Sequence, residues 1–103
     1  MNVTYTIDKQ KCTPNRTVTQ IHPLIYAIYN GDKSEPLVQA FLEESSSCYH
    51  LMDIWVKPEL RGNGLATTIL MHIACCLNKP VKVTFDSTNT IMECVMNKIG
   101  QIS

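Results

Sequence analysis

The chain has 103 residues, 45% of them hydrophobic and 17% charged, with nine Lys and Arg balanced by nine Asp and Glu. That length allows one small domain, read as spanning residues 1–103, with a single core. Zero net charge excludes the basic footprint of a nucleic-acid binder, and the longest stretch without Asp, Glu, Lys or Arg, 62–78, is too short and polar to cross a bilayer.

Residues 1–20 alternate polar and apolar, so no signal peptide is expected. Residues 3–7 read as a first strand, followed by a polar stretch through Pro14. Residues 17–21 read as extended and stop at Pro23. Residues 24–29 form a strand by their β-branched and aromatic content. Asn30-Gly31-Asp32 is a hairpin turn into a strand over 36–42. A polar turn over 43–47 then leads into a central strand over 49–56. These three strands predict an antiparallel meander. A helix is predicted over 64–78, stopped by Pro80. Residues 81–85 alternate as a strand, parallel to the one ending at Val56 through a right-handed crossover. A last helix starts near Asn89 or Thr90, with Thr90-x-x-Glu93 as a capping box, Ile91, Val95 and Ile99 as its apolar stripe and Gly100 as its C′ residue. The fold class is α+β, with a mixed, mostly antiparallel sheet.

Five cysteines, Cys12, Cys48, Cys75, Cys76 and Cys94, cannot all pair within one chain and contain no Cys-x-x-Cys. Neither zinc ligands nor a disulfide framework is expected, no metal site is assigned, and a reducing cytoplasm is the expected compartment. Cys75-Cys76 reads either as a redox pair or as two semi-buried thiols. The second fits a helix better, because adjacent side chains there point about 100° apart.

The stretch around which the rest is arranged is Val56-Lys57-Pro58-Glu59-Leu60-Arg61-Gly62-Asn63-Gly64-Leu65-Ala66-Thr67. A strand precedes it and a helix follows. Gly62 and Gly64 have no Cβ, so the backbone is free to take positive φ and approach a ligand. The first N–H groups of the helix lack intrahelical partners and sit at the positive end of its dipole, a natural seat for phosphate. Arg61 adds a bidentate charged donor. The bland alternative is a tight turn only. No Gly-x-x-x-x-Gly-Lys-Ser/Thr is present, which excludes a P-loop, and the third glycine of a dinucleotide fingerprint is missing.

The string resembles the coenzyme A turn of the GNAT superfamily of N-acetyltransferases, Arg/Gln-x-x-Gly-x-Gly/Ala, usually preceded by Val-x-Pro-Glu-x. Arg61, Gly64 and Ala66 fill the defining places, and Val56, Pro58 and Glu59 the lead-in. The resemblance covers residues 24–100, most securely 49–78. It implies acetyl-CoA as cofactor and acetyl transfer to an amine of a small molecule, peptide or protein. It also implies a parallel strand pair splayed around the coenzyme. The pantetheine arm would run between those strands, and backbone donors of Ile54, Trp55 and Val56 would face the thioester. Arg61, Gly62, Asn63, Gly64, Leu65, Ala66 and Thr67 are the implied pyrophosphate turn, and Asn89 matches the Asn opening the family's last helix.

Three departures qualify the resemblance. The two helices that usually wall the acceptor site have no room before residue 24, and the final strand pair is absent, which makes this a reduced GNAT domain. In the last helix Met96 occupies the place of the family's Tyr, the usual general acid, and a thioether donates no proton. Gln101 stands in the place of its Phe.

Acetyl transfer requires a base near the thioester. Asp53 and His50 on the central strand are the candidates, and strict alternation places them on opposite faces. For Asp53 the alternative is a pair with Arg61 or a backbone N–H; for His50 it is a solvated position near a turn. Cys94 reads as a nucleophile or, more simply, as a half-buried helix thiol. Asp86, Ser87 and Thr88 face a ligand or cap the last helix.

Two readings from other classes stand beside the enzyme. One is a non-catalytic CoA-binding or protein-interaction module; the other is an inhibitor or adaptor with no coenzyme requirement. A homodimer is expected as well. The helix over 64–78 has an apolar face at 65, 66, 69, 70, 73, 76 and 77. Its opposite face, Thr67, Thr68, Met71, His72, Cys75 and Asn78, lacks charge. The strand over 81–85 offers a second surface as an open edge.

Overall fold

Alternating β-branched and aromatic runs put six strands into one mixed sheet. The computed structural model describes residues 1–7, 14–29, 35–62 and 64–99. In chain order its elements are β1 (Asn2–Ile7), β2 (Val18–His22), β3 (Ile25–Tyr29), β4 (Pro36–Glu44), β5 (Tyr49–Val56), α1 (Leu65–Cys76), β6 (Val81–Asp86) and α2 (Thr90–Ile99), with a 3-10 turn over Pro58–Leu60. The strand order across the sheet is β1-β6-β5-β4-β3-β2. The molecule is thus a small α+β domain. The expected turn at 30–32, Asn63, Cys12 and the end of α2 at Gly100 lie outside the described residues.

β2 to β5 pair antiparallel in sequence order, so the meander has four strands rather than three. β6 runs parallel to β5. β1 pairs antiparallel with the far side of β6, from Asn2↔Asp86 to Ile7↔Val81. The edge expected at residues 81–85 is therefore filled from within the chain. Val3, Tyr5 and Ile7 stand opposite Phe85, Val83 and Val81, and this match of two apolar alternations sets the register. The Tyr5 and Phe85 rings stack at 5.4 Å.

Register also decides which side chains share a face. Val38, Ala40 and Leu42 of β4 are buried opposite Val56, Ile54 and Leu51 of β5, and Val81 and Val83 of β6 continue the same face. Both helices pack there. α1 lies on β3, β4 and β5 and buries Ile69, Leu70, Ile73 and Ala74, while α2 adds Met92, Val95, Met96 and Ile99 to the same core. On α1 the stripe differs from the expected one at a single turn. Ala74 follows Leu70 into the core, and Cys76 is exposed.

The charge-poor side of α1 is half-buried within the chain at Thr67, Thr68, Met71, His72 and Cys75. The Asn15 backbone N–H donates to His72 Nδ1 at 2.8 Å, and the Tyr26 ring meets the imidazole edge-on. Burial pushes the His72 pKa below the ordinary imidazole value. Among the described residues no helix is long and apolar enough to cross a membrane.

α2 is capped by Asn89 rather than through Thr90 and Glu93, since the Met92 N–H donates to Asn89 Oδ1 at 3.1 Å. Its buried stripe is Met92, Val95, Met96 and Ile99, and Ile91 is 66% exposed, against expectation. In the turn before it, Asp86 Oδ1 accepts from the Thr88 N–H and hydroxyl at 2.9 and 2.8 Å. These bonds hold the Asp86 carboxyl below its usual range. Residues 86–88 therefore form a turn that leads into the helix, and the cap expected of them falls to Asn89.

Candidate functional site

The site begins with one extra residue in β5. Between Phe41↔Asp53 and Leu42↔Leu51 the ladder skips Met52, leaving it as a bulge. Such an insertion bends its strand and increases the local twist. β5 and β6 pair at Tyr49↔Val81, His50↔Lys82 and Leu51↔Val83, and the register goes no further. Beyond that point a cleft of about 380 Å³ opens between the strands. Ile54, Trp55 and Val56 wall one side, Val83 and Phe85 the other, and Arg61, Ala66, Asn89 and Ile91 close its helical end.

The bulge also corrects the placement of the two candidate bases. Asp53 stands opposite Phe41 and His50 opposite Glu43, two positions on the same face of β4. One inserted residue reverses the alternation, so Asp53 and His50 share a face of the sheet rather than opposing each other. They do not share a cavity. Asp53 is exposed and lines the cleft, whereas His50 lines a shallow neighbouring groove with Glu43 and Lys82. His50 Nε2 lies 3.3 Å from the buried Cys48 Sγ. The expected alternative of an Asp53–Arg61 pair does not form. The ion pairs among the described residues join Met1 to Asp86, Lys57 to Glu35 and Glu59, and Lys79 to Glu44. Arg61 instead donates from Nε to the Val56 carbonyl at 3.4 Å.

The turn after β5 requires its glycines. Gly62 and Gly64 have φ of +87° and +78°, a region that side chains make costly, and a Cβ at either would meet nothing within 4 Å. The strain is in the backbone, and the space in front is open. Gly64 is the residue before α1, so no side chain caps the first N–H groups, and the first turn holds no acidic residue. The Thr68 N–H and hydroxyl both donate to the Gly64 carbonyl at 3.0 Å. The Thr67 Oγ1 is buried without a hydrogen-bond partner.

The turn and the start of α1 border a second cavity of about 340 Å³. Arg61, Gly62, Gly64, Leu65, Ala66 and Thr67 line it from the turn, and Thr90, Cys94 and Lys98 from α2. Arg61 and Ala66 border both cavities, so the two adjoin. Helix N–H groups without a side-chain cap and two cations make this an electropositive seat for an anion. Val56, Leu60, Leu65, Ile91 and Val95 complete its lining, so the cationic groups stand on a largely apolar wall, and the neighbouring cleft is the more polar of the two.

The expected turn and strand residues thus converge, and Asn89 reaches the cleft wall, although its Oδ1 is committed to the cap. Cys94 lines the second cavity rather than the cleft. Met96 is 0% exposed and borders neither cavity, so this position is a core plug. Met52, Thr84, Ile91 and Lys98 were missed from sequence. Ile91 fits the stripe of Val95 and Ile99, which hid its exposure. Lys98 reads only as a solvated cation, and nothing local in the sequence announces the bulge at Met52.

Cys48, Cys75 and Cys94 are free thiols, and among the described residues no cluster of three or more His, Cys, Asp or Glu is placed to hold a metal ion. No family model, no curated protein and no solved structure matches the chain.

Proposed function

We propose that this chain is a reduced GNAT-type N-acetyltransferase, acting from acetyl-CoA on an amine. The observation that carries the reading is the parting of β5 and β6 directly in front of an uncapped α1 N-terminus. The residues present fit the coenzyme. Its pyrophosphate needs donors; the backbone N–H groups of Leu65, Ala66 and Thr67 have no side-chain cap, and the exposed Arg61 guanidinium stands beside them. The strand edge of Ile54, Trp55 and Val56 would pair with the pantetheine arm. Lys98 adds positive charge at the far side of the anion seat.

Bound acetyl-CoA supplies an acetyl thioester, whose carbonyl carbon bonds to the amine nitrogen as the carbon–sulfur bond breaks and the thiol leaves with one nitrogen proton. The chain's part is to bind, orient and deprotonate. Asp53 takes the first proton from the incoming ammonium, being the carboxylate on the cleft wall, and passes it to solvent. His50 borders the adjoining groove and so is the weaker candidate. A homodimer through the charge-poor side of α1 and a cytoplasmic location belong to the same proposal.

One observation favours the second reading, a non-catalytic CoA-binding or protein-interaction module. α2 presents Ile91, Met92 and Val95 to the cleft, none of which donates a proton to a leaving thiolate. Transfer does not strictly need one, because a thiol of pKa about 8 to 9 leaves as thiolate.

Native mass spectrometry of freshly purified protein tests the coenzyme, with a CoA-sized adduct expected. Calorimetry with acetyl-CoA is the backing measurement, and no adduct together with no heat would overturn the enzyme and the coenzyme-binding module, leaving only a protein-interaction module. Release of free thiol over a panel of amines and peptides then separates them. Binding without turnover selects the module.

A further inference from the structure

The cleft has lining residues on both faces of the sheet. Its wall includes Asp53, Trp55 and Thr84, whose side chains stand by register on the face opposite the helices, and the bulged Met52. The groove of Glu43, His50 and Lys82 shares Leu51, Met52 and Thr84 with the cleft, so the two form one continuous track. Along β5 it runs from Trp55 to His50, which at 3.3 Å per residue is roughly 16 Å. That is the length of about five extended residues and exceeds a simple amine.

We infer that the acceptor is a lysine side chain on an extended polypeptide laid along this track; the inference rests on the acetyl-transfer reading above. Small-molecule sites enclose most of their ligand. Here the helices line only the cleft, while the groove beside it is lined by strand residues alone, and such an open face gains contact area only from a long ligand. Met52 is 59% exposed and Trp55 37%, one residue before Asp53 and two after it. Methionine and aromatic side chains are the types that anchor protein interfaces. Between them the Asp53 carboxylate offers the complementary charge for an ammonium at the mouth of the cleft.

Glu43 adds a second carboxylate further along, beside His50 and the half-buried Lys82. Asp86, at the end of β6, is held by Thr88 and the N-terminal amine. A nucleic-acid acceptor needs several cations to neutralise phosphates, and the groove offers only Lys82 and His50.

Trp55 is the single tryptophan of the chain, so its emission reports docking without coenzyme or turnover. The probes are peptides blocked at both ends, of one, three, five and seven residues, each with a central lysine. Saturable emission changes are expected, with affinity rising at least tenfold from one residue to five and levelling by seven. Norleucine in place of the lysine weakens the five-residue peptide about tenfold. Met52→Lys, at an exposed position and checked by circular dichroism, weakens it similarly. Acetyl transfer follows the same length series in kcat/KM.

Equal affinity and kcat/KM for the blocked single lysine and the longer peptides would overturn the inference. So would insensitivity to Met52→Lys, or a preference for free diamines or oligonucleotides. Calorimetry with acetyl-CoA tells the two failures apart. Coenzyme heat without peptide docking removes this inference alone, whereas peptide docking without coenzyme heat removes the acetyl-transfer reading and with it the acceptor role of the track.

Discussion

Gly64 holds φ at +78° with open space in front of it, so a substitution there strains the backbone without striking a neighbour. Gly64→Ala is expected to cost about 1–2 kcal/mol of stability, read as a lower thermal midpoint. Acetyl-CoA affinity in the folded variant should fall about tenfold by calorimetry, because the turn relaxes away from the anion seat; Gly64→Val should do the same more strongly. Wild-type affinity in a folded variant would count against the coenzyme site. Met96 shows the limit of reading by motif position. A tyrosine at this place suits the family pattern, yet the side chain here is wholly buried. Met96→Tyr is expected to destabilise by about 1–3 kcal/mol through overpacking, measured by denaturant unfolding, and not to raise the acetylation rate. Glycines were legible because positive φ is a local demand. The exposure of Ile91 was not, because it depends on what α2 packs against.

At the scale of elements, the strands were legible from their β-branched and aromatic runs, and the two helices from their spacing between Pro80 and the turns. Strand partners were less so, since pairing β1 with β6 leaves no local trace. The bulge at Met52 is the clearest case: one residue reverses the face of everything after it, and with it the relation of His50 to Asp53. The end of β4 is tied to the loop after α1 by Lys79 Nζ, 2.8 Å from Glu44 Oε2 and 2.9 Å from the Ser45 carbonyl. The hydrogen bond from Lys79 lowers the Glu44 pKa from its ordinary 4.5, and the same bond raises that of Lys79 from 10.5. The stabilisation is complete between those ordinary values. It is lost as pH falls through the depressed Glu44 pKa, and again as pH rises through the elevated Lys79 pKa. Glu44→Gln should therefore lower the thermal midpoint slightly at pH 7, less so in high salt, with the gap closing at acid pH. A gap that persists in strong acid would show that the pair is not its source.

For the whole molecule, the homodimer expectation keeps one of its two surfaces, because β1 occupies the edge of β6. Sedimentation at micromolar concentration should give twice the 11.6 kDa of one chain, and a single-chain mass would overturn the dimer. The placement of β1 has a further consequence, one of timing. It is synthesised first, yet its partner β6 follows about 75 residues later. At about 5–20 residues per second, β1 waits roughly 4 to 15 s on the ribosome before its own partner strand exists. The four-strand meander β2 to β5 has no such delay, since each strand meets the next as it emerges. The nascent chain therefore carries Val3, Tyr5 and Ile7 as an unprotected strand for most of its synthesis, and a stall before residue 81 leaves it seeking a substitute edge.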